Sequence, residues 1–151
     1  MNHADKAAVL FREKKYNCAQ AVFAAFTDLT GVDDAMAIRM SGAFGGGMGR
    51  LREVCGAVSG AIMVLSMLHA PADPADNTAK MEFYKKIQDF AARFKEMHGT
   101  IICRELLGDQ AGSGYVPAER TEEYYKMRPC ERIVYDSAAI LEEYLKELEN
   151  A

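Results

Sequence analysis

Tryptophan is absent from this chain, and no two of its four cysteines stand closer than 27 residues apart. The missing close pair sets the sequence apart from zinc ribbons and fingers, whose ligands come as Cys-x-x-Cys, and from thioredoxin-type redox motifs. A basic excess is missing too: the net charge is -4 and the pI about 5.4. Nucleic-acid binding rests on phosphate contacts from a basic face, so no nucleic-acid partner is expected. Aromatics make up only 9% of the residues and are not interleaved with basic ones as in a single-strand groove. Nor is there a long hydrophobic run. Val54 to Leu68, bounded by Glu53 and His69, is apolar but shorter than a membrane span, and it reads as a buried helix. The N-terminus, Met1 to Lys6, lacks the apolar core of a signal peptide. The expectation is a cytoplasmic protein, a setting where stable disulfides are rare and cysteines more often serve metals or redox chemistry.

What is present is helical patterning over a chain of 151 residues, half of them hydrophobic, the size of one domain (1–151). Helices are expected over roughly 4–14, 17–29, 33–40, 53–69, 76–98, 103–107 and 129–148, with a further turn at 119–125. Asn17 and Asp33 are N-cap residues, and Gly99 is a C-terminal stop. On the long helix, Met81, Tyr84, Ile87, Phe90, Ala91 and Phe94 fall on one face. Ile101-Ile102 is too short to count as a strand. The fold class is therefore all-α: a compact single-domain bundle of about five main helices, with a glycine-rich loop at 41–50 and one long irregular segment at 108–128. The apolar content of the long helices points to a homodimer.

Cys18, Cys55, Cys103 and Cys130 all fall in the first turn of an expected helix. A helix start offers unpaired N–H groups and the positive end of the dipole, which favour a thiolate over a thiol. The cysteines also have basic neighbours in an acidic chain: Lys14 and Lys15, Arg50 and Arg52, Arg104, and Arg128 and Arg132. Four small residues filling the core would be the plainer account. Against it stands the loop Ser41 to Arg50, with five glycines in the eight residues from Gly42 to Gly49. No strand precedes it and no Gly-Lys-Ser/Thr ends it, so it does not read as a phosphate loop. It reads as a backbone lid over the Cys55 sulfur, which makes Gly45, Gly46, Gly47, Gly49 and Arg50, with Gly56 beside Cys55, the candidate cofactor contacts. Gly56 and Gly60, four apart, also let another helix approach closely. His3, His69 and His98 read as capping or surface residues, and no nucleophile–base arrangement stands out, so no catalytic residue is assigned.

Asn17-Cys18-Ala19-Gln20-Ala21-Val22, the block from Phe44 to Gly60, Cys103-Arg104-Glu105-Leu106-Leu107-Gly108 and the late Cys130 together resemble the C_GCAxxG_C_C family of redox-active proteins. The likeness spans about residues 16–148. It implies a small redox-associated protein, related to a domain of some multihaem cytochromes and often encoded near transporter genes, in which the four cysteines are the functional set. It does not supply a reaction, and the chain has no Cys-x-x-Cys-His for haem attachment. The leading expectation is that Cys18, Cys55, Cys103 and Cys130 bind an iron–sulfur cluster, most simply [2Fe–2S], for electron transfer or redox sensing with an unidentified partner protein. A thiol–disulfide protein using one cysteine pair and no metal, and a zinc-binding or carrier protein, are the alternatives.

Overall fold

The computed structural model describes residues 1–151, and its regular elements are helices: α1 (His3–Arg12), α2 (Cys18–Ala24), α3 (Thr27–Thr30), α4 (Asp34–Ser41), α5 (Gly45–Met48), α6 (Gly56–His69), α7 (Asn77–His98), α8 (Cys103–Leu107), α9 (Glu122–Met127) and α10 (Cys130–Glu149). Short 3-10 turns lie at Gly42–Phe44 and Gly108–Gln110. The all-α expectation holds. The count of five main helices is loose, because only α1, α6, α7 and α10 reach ten residues.

Helix α6 occupies the centre. It is apolar on nearly every side, as a helix surrounded by others must be, and Ala57, Val58, Ala61 and Val64 are fully buried. Helix α2 packs along it, and the small residues of α6 set how closely. A methyl group added at Gly60 would stand 2.6 Å from the carbonyl oxygen of Ala19. Helix α10 lies across both and presents Ile133, Val134, Ser137, Ala138, Leu141 and Leu145 at helical spacing. The buried Ser137 hydroxyl donates to the carbonyl of Ala57 at 2.8 Å, pinning α10 to the first turns of α6. Helix α1 packs on α10, burying Ala4, Ala7 and Phe11.

Two sequence expectations give way here. The helix expected over 17–29 breaks after Ala24, and α3 ends on Gly31 in the left-handed conformation. On α7 only Phe90 and Phe94 are buried, whereas Met81 and Tyr84 are exposed, because the first half of this 22-residue helix extends beyond the core. Its ends fall as expected: the Asp76 side chain accepts from the N–H of Ala79, and Gly99 closes the helix at φ 85°. No helix is long and apolar enough to cross a membrane.

Candidate functional site

Each cysteine sits at a helix start, as the sequence suggests, but the structure shows why. The first turn of α2 is closed by a reciprocal pair: the Gln20 N–H donates to Asn17 Oδ1, and the Asn17 N–H donates to Gln20 Oε1, both at 2.9 Å. The same two side chains reach outward. Asn17 Nδ2 donates to the Gly42 carbonyl at 3.0 Å, and Gln20 Nε2 to the Ile38 carbonyl at 3.1 Å. Cys18, first residue of α2, is thereby held against the end of α4 and the glycine segment.

Cys55 and Cys103 are placed as a pair. Val54 and Ile102 form an isolated antiparallel bridge. Across it the Cys55 N–H donates to the Ile101 carbonyl at 2.8 Å, and the Cys103 N–H to the Glu53 carbonyl at 2.6 Å. Both chains then turn into a helix, α6 after Cys55 and α8 at Cys103. Ile101-Ile102 forms no strand, as expected, but Ile102 makes this single bridge because Val54 lies opposite it. Cys130 opens α10 directly after its N-cap Pro129, so the proline stands one position before its usual place as first helical residue.

The glycine segment is a left-handed turn rather than an open loop. Gly46, Gly47, Met48, Gly49, Arg50 and Arg52 all have φ between 58° and 71°. For the three residues with side chains this conformation costs roughly 1–2 kcal/mol each. At Gly47 space is as limiting as conformation. A Cβ there would stand 2.7 Å from both the Cys103 Cβ and the Glu53 nitrogen. Gly45 packs on the Asn17 side chain, and a Cβ at Gly56 would stand 2.5 Å from the Cys18 sulfur. The Gly46 N–H faces the sulfur of Cys18, which corrects the expected lid over Cys55.

All four cysteines line one cavity of about 70 Å³. Gly46, Gly56, Asn17, Arg52, Arg120, Tyr124 and Arg128 share its wall with Phe11, Leu106, Leu107 and Ile133. Gly45, Gly47, Gly49 and Arg50 stand outside this lining. Arg120 and Tyr124 escaped the sequence reading; they belong to the irregular 108–128 segment, and neither has a cysteine within five residues along the chain. The Arg120 guanidinium is fixed by carbonyls it cannot foresee locally, donating to Phe11 O at 3.0 Å and Tyr16 O at 2.9 Å, and lying 4.3 Å over the Phe11 ring. Among the cations singled out by sequence, Arg104 is engaged with Glu53 and Arg132 with Asp136, and neither lines the cavity. The three histidines lie elsewhere: His3 bridges Asp28 and Glu142, and His98 faces Asp136.

The four thiols are free, Cys55 and Cys103 buried, Cys18 and Cys130 half-buried. The expectation that helix starts and cations would lower the thiol pKa fails at Cys18, Cys55 and Cys130. Burial pushes the Cys55 thiol well up, and the nearby Cys18 adds to it, against the opposing N–H groups of Ala57 and Val58. Those groups face the sulfur but close no full capping hydrogen bond. Cys18 is raised chiefly by burial, and Cys130 is pushed up to about 12 by burial and by Cys18. Desolvation with crowding outweighs the dipoles at these three, so the ligand-free site holds Cys18, Cys55 and Cys130 as protonated thiols.

Arg52 is the strongest signal of an anionic occupant. It is only 7% exposed. Its Nη1 lies 3.6 Å from the Cys103 sulfur, while Nε and Nη2 are buried without any acceptor. An unsatisfied buried donor costs about 1–3 kcal/mol, more when charged, so such groups are retained for a partner. No carboxylate competes for them: of nine arginines, Arg12, Arg93, Arg104 and Arg132 form ion pairs, and Arg39, Arg50, Arg52, Arg120 and Arg128 do not. Burial, then the like charges of Arg52 and Arg128, depress the Arg50 pKa. Four thiols, facing amides and uncompensated guanidinium groups fit an anionic, sulfur-ligated group. No three potential ligands stand close enough to hold a single metal ion. The sulfurs surround a space rather than a point.

No curated protein and no solved structure matches the chain. A family model described as "Putative redox-active protein (C_GCAxxG_C_C)" matches residues 16–144. That span contains all four cysteines, the left-handed glycine turn and most of α10, and the chain belongs to the C_GCAxxG_C_C family.

Proposed function

We propose that the protein is a redox protein whose four cysteines hold an iron–sulfur cluster, most simply [2Fe–2S], for electron transfer or redox sensing. The observation that carries this reading is the convergence of four free thiols, from four separate helix starts, on one cavity beside the orphaned donors of Arg52. Cys18, Cys55, Cys103 and Cys130 would be the ligands, a set of the usual number and kind for such a cluster. When bound, the cluster supplies one-electron transfer. The chain's own contribution is electrostatic. Arg52, Arg120 and Arg128 would offset the negative charge of four thiolates and a bound cluster, and the Gly46 N–H donates towards the Cys18 sulfur. Phe11, Leu106, Leu107 and Ile133 keep the cavity apolar on its remaining sides, which limits water at the sulfurs.

Thiol–disulfide exchange is less well supported. The attacking species is a thiolate, and raised pKa values at Cys18, Cys55 and Cys130 leave little of it at neutral pH. A zinc site would need its ligands around one point, an arrangement these side chains do not take up.

Anaerobic reconstitution with iron and sulfide tests the proposal. The expected result is two irons per chain, visible charge-transfer absorption and an EPR signal after reduction, all lost in Cys18→Ser and Cys55→Ser variants that still fold. A colourless protein that takes up no iron, or serine variants that bind as the parent does, would sink it.

A further inference from the structure

We infer that the arginine wall of the cavity is a binding site for a small oxyanion, of the sulfate or phosphate type, distinct from the sulfur ligand set. The argument starts from the guanidinium of Arg52. Its Nη1 is turned towards Cys103, but Nε and Nη2 form the opposite edge of the planar group, where two N–H bonds run parallel. That edge is the fork that grips two oxygens of a carboxylate, sulfate or phosphate at once. Here it belongs to a side chain more than nine-tenths buried, lining a cavity, with no acceptor of the protein within reach.

The neighbours extend the site. Arg128 lines the same cavity and forms neither a hydrogen bond nor an ion pair through its guanidinium, which lies 4.9 Å over the Tyr124 ring. Arg120 lines it too, held in place by carbonyl oxygens that leave its charge uncompensated. Arg50 stands beside Arg52 and Arg128 and likewise has no carboxylate. Four like charges gathered on one side of a protein with a net charge of -4, each without a counter-ion, repel one another until an anion joins them. The cavity, at about 70 Å³, exceeds several-fold what one water requires, so a compact anion suits it better than a bulky ester.

This site uses nitrogen donors, and its test is separable from that of the cluster. Sodium sulfate would be titrated into the reduced, metal-free full-length protein by calorimetry, with ionic strength held constant by chloride. The expected result is one saturable site per chain. Arg52→Gln and Arg128→Gln should each weaken it roughly tenfold or more. Arg52→Lys, which keeps the charge and loses the fork, should weaken it as well. Arg93→Gln, at an exposed ion pair with Glu147 outside the cavity, should leave it unchanged. The double variant Cys18→Ser, Cys130→Ser should abolish iron uptake while sulfate still binds, so that failure of one reading does not imply failure of the other. Heats that never saturate, or equal affinity in the parent and in Arg128→Gln, would overturn the inference. The Arg128 side chain makes no hydrogen bond, and that variant keeps the test valid if Arg52→Gln fails to fold. Displacement of sulfate by adenosine monophosphate would overturn the restriction to a small anion.

Discussion

At the scale of single residues the cavity is set by what is missing from side chains as much as by what is present. Gly56 and Gly60 lie on one face of α6, yet they answer to different neighbours. A methyl group at Gly60 meets the backbone of Ala19, and one at Gly56 meets the Cys18 sulfur at 2.5 Å. Gly60→Ala should therefore cost about 1–3 kcal/mol of stability by pushing α2 and α6 apart, as overpacking generally does. Gly56→Ala should cost a comparable amount and in addition displace a ligand, so iron uptake should fall far more than the melting temperature. Equal cofactor loading in the two variants would show that the Cys18 position does not matter. The thiols make a second residue-scale prediction. Cys18, Cys55 and Cys130 have folded-state pKa values raised above the ordinary thiol value, roughly 8.5. A raised pKa means that the unfolded chain gives up its proton first as the pH climbs. The stability of the reduced, metal-free protein is thus fully present below about pH 8.5 and declines towards pH 12, by about 1.4 kcal/mol per pH unit for each thiol titrating. Denaturant midpoints measured from pH 8 to 11 should fall, and the slope should be shallower in Cys130→Ser. A flat profile would contradict the burial argument.

At the scale of elements, the start of α2 is the joint on which the site turns. Asn17 closes the capping box and also holds the Gly42 carbonyl, and its side chain fills the space beside Gly45. Asn17→Ala should remove the cap, worth about 0.5–2 kcal/mol, together with a half-buried hydrogen bond. Asn17→Asp keeps the cap acceptor and loses only the donor to Gly42. The aspartate variant should therefore melt closer to the parent than the alanine variant, while both loosen the glycine turn, read as faster amide exchange at Gly46 and Gly47. Identical melting of the two variants would argue that the cap carries no weight. This joint also marks how far the sequence could be read. Asn17, Asp33 and Gly99 announce helix ends through chemistry local to one turn, and all three act as such. The left-handed turn was visible as a run of glycines, but not that Met48, Arg50 and Arg52 would share its conformation, because only the surrounding packing forces L-residues there. The Val54–Ile102 bridge and the Arg120 anchor were hidden for a related reason. Both are pairings between segments roughly fifty or a hundred residues apart, which no periodicity encodes. The pKa directions at Cys18, Cys55 and Cys130 run against the sequence reading because helix dipoles can be read from sequence position and burial cannot.

At the scale of the whole molecule, the cavity joins the starts of α2, α6 and α10, which the core already packs together, to the bridge with α8 and to the 108–128 segment that carries α9. That last stretch is held differently from the core. Residues 113–119 are all exposed, and its hold on the domain runs mainly through Arg120, Tyr124 and Arg128 at the cavity wall. Any occupant of the cavity joins this wall to the cysteine-bearing helix starts. An occupant that binds only the folded chain stabilises it by mass action, about 2.7 kcal/mol at a ligand concentration one hundred times the dissociation constant. Most of that gain should be felt where the fold is least cooperative, in the 108–128 segment, since the apolar core around α6 and α10 is complete without it. Limited proteolysis of the metal-free protein should therefore cut first between Gly112 and Arg120, and loading with iron and sulfide should slow that cut by more than it raises resistance in α7, whose exposed half lies away from the cavity. Cleavage that begins in α7 in both forms, or a loop cut at the same rate with and without the occupant, would mean that the cavity does not organise the segment that encloses it.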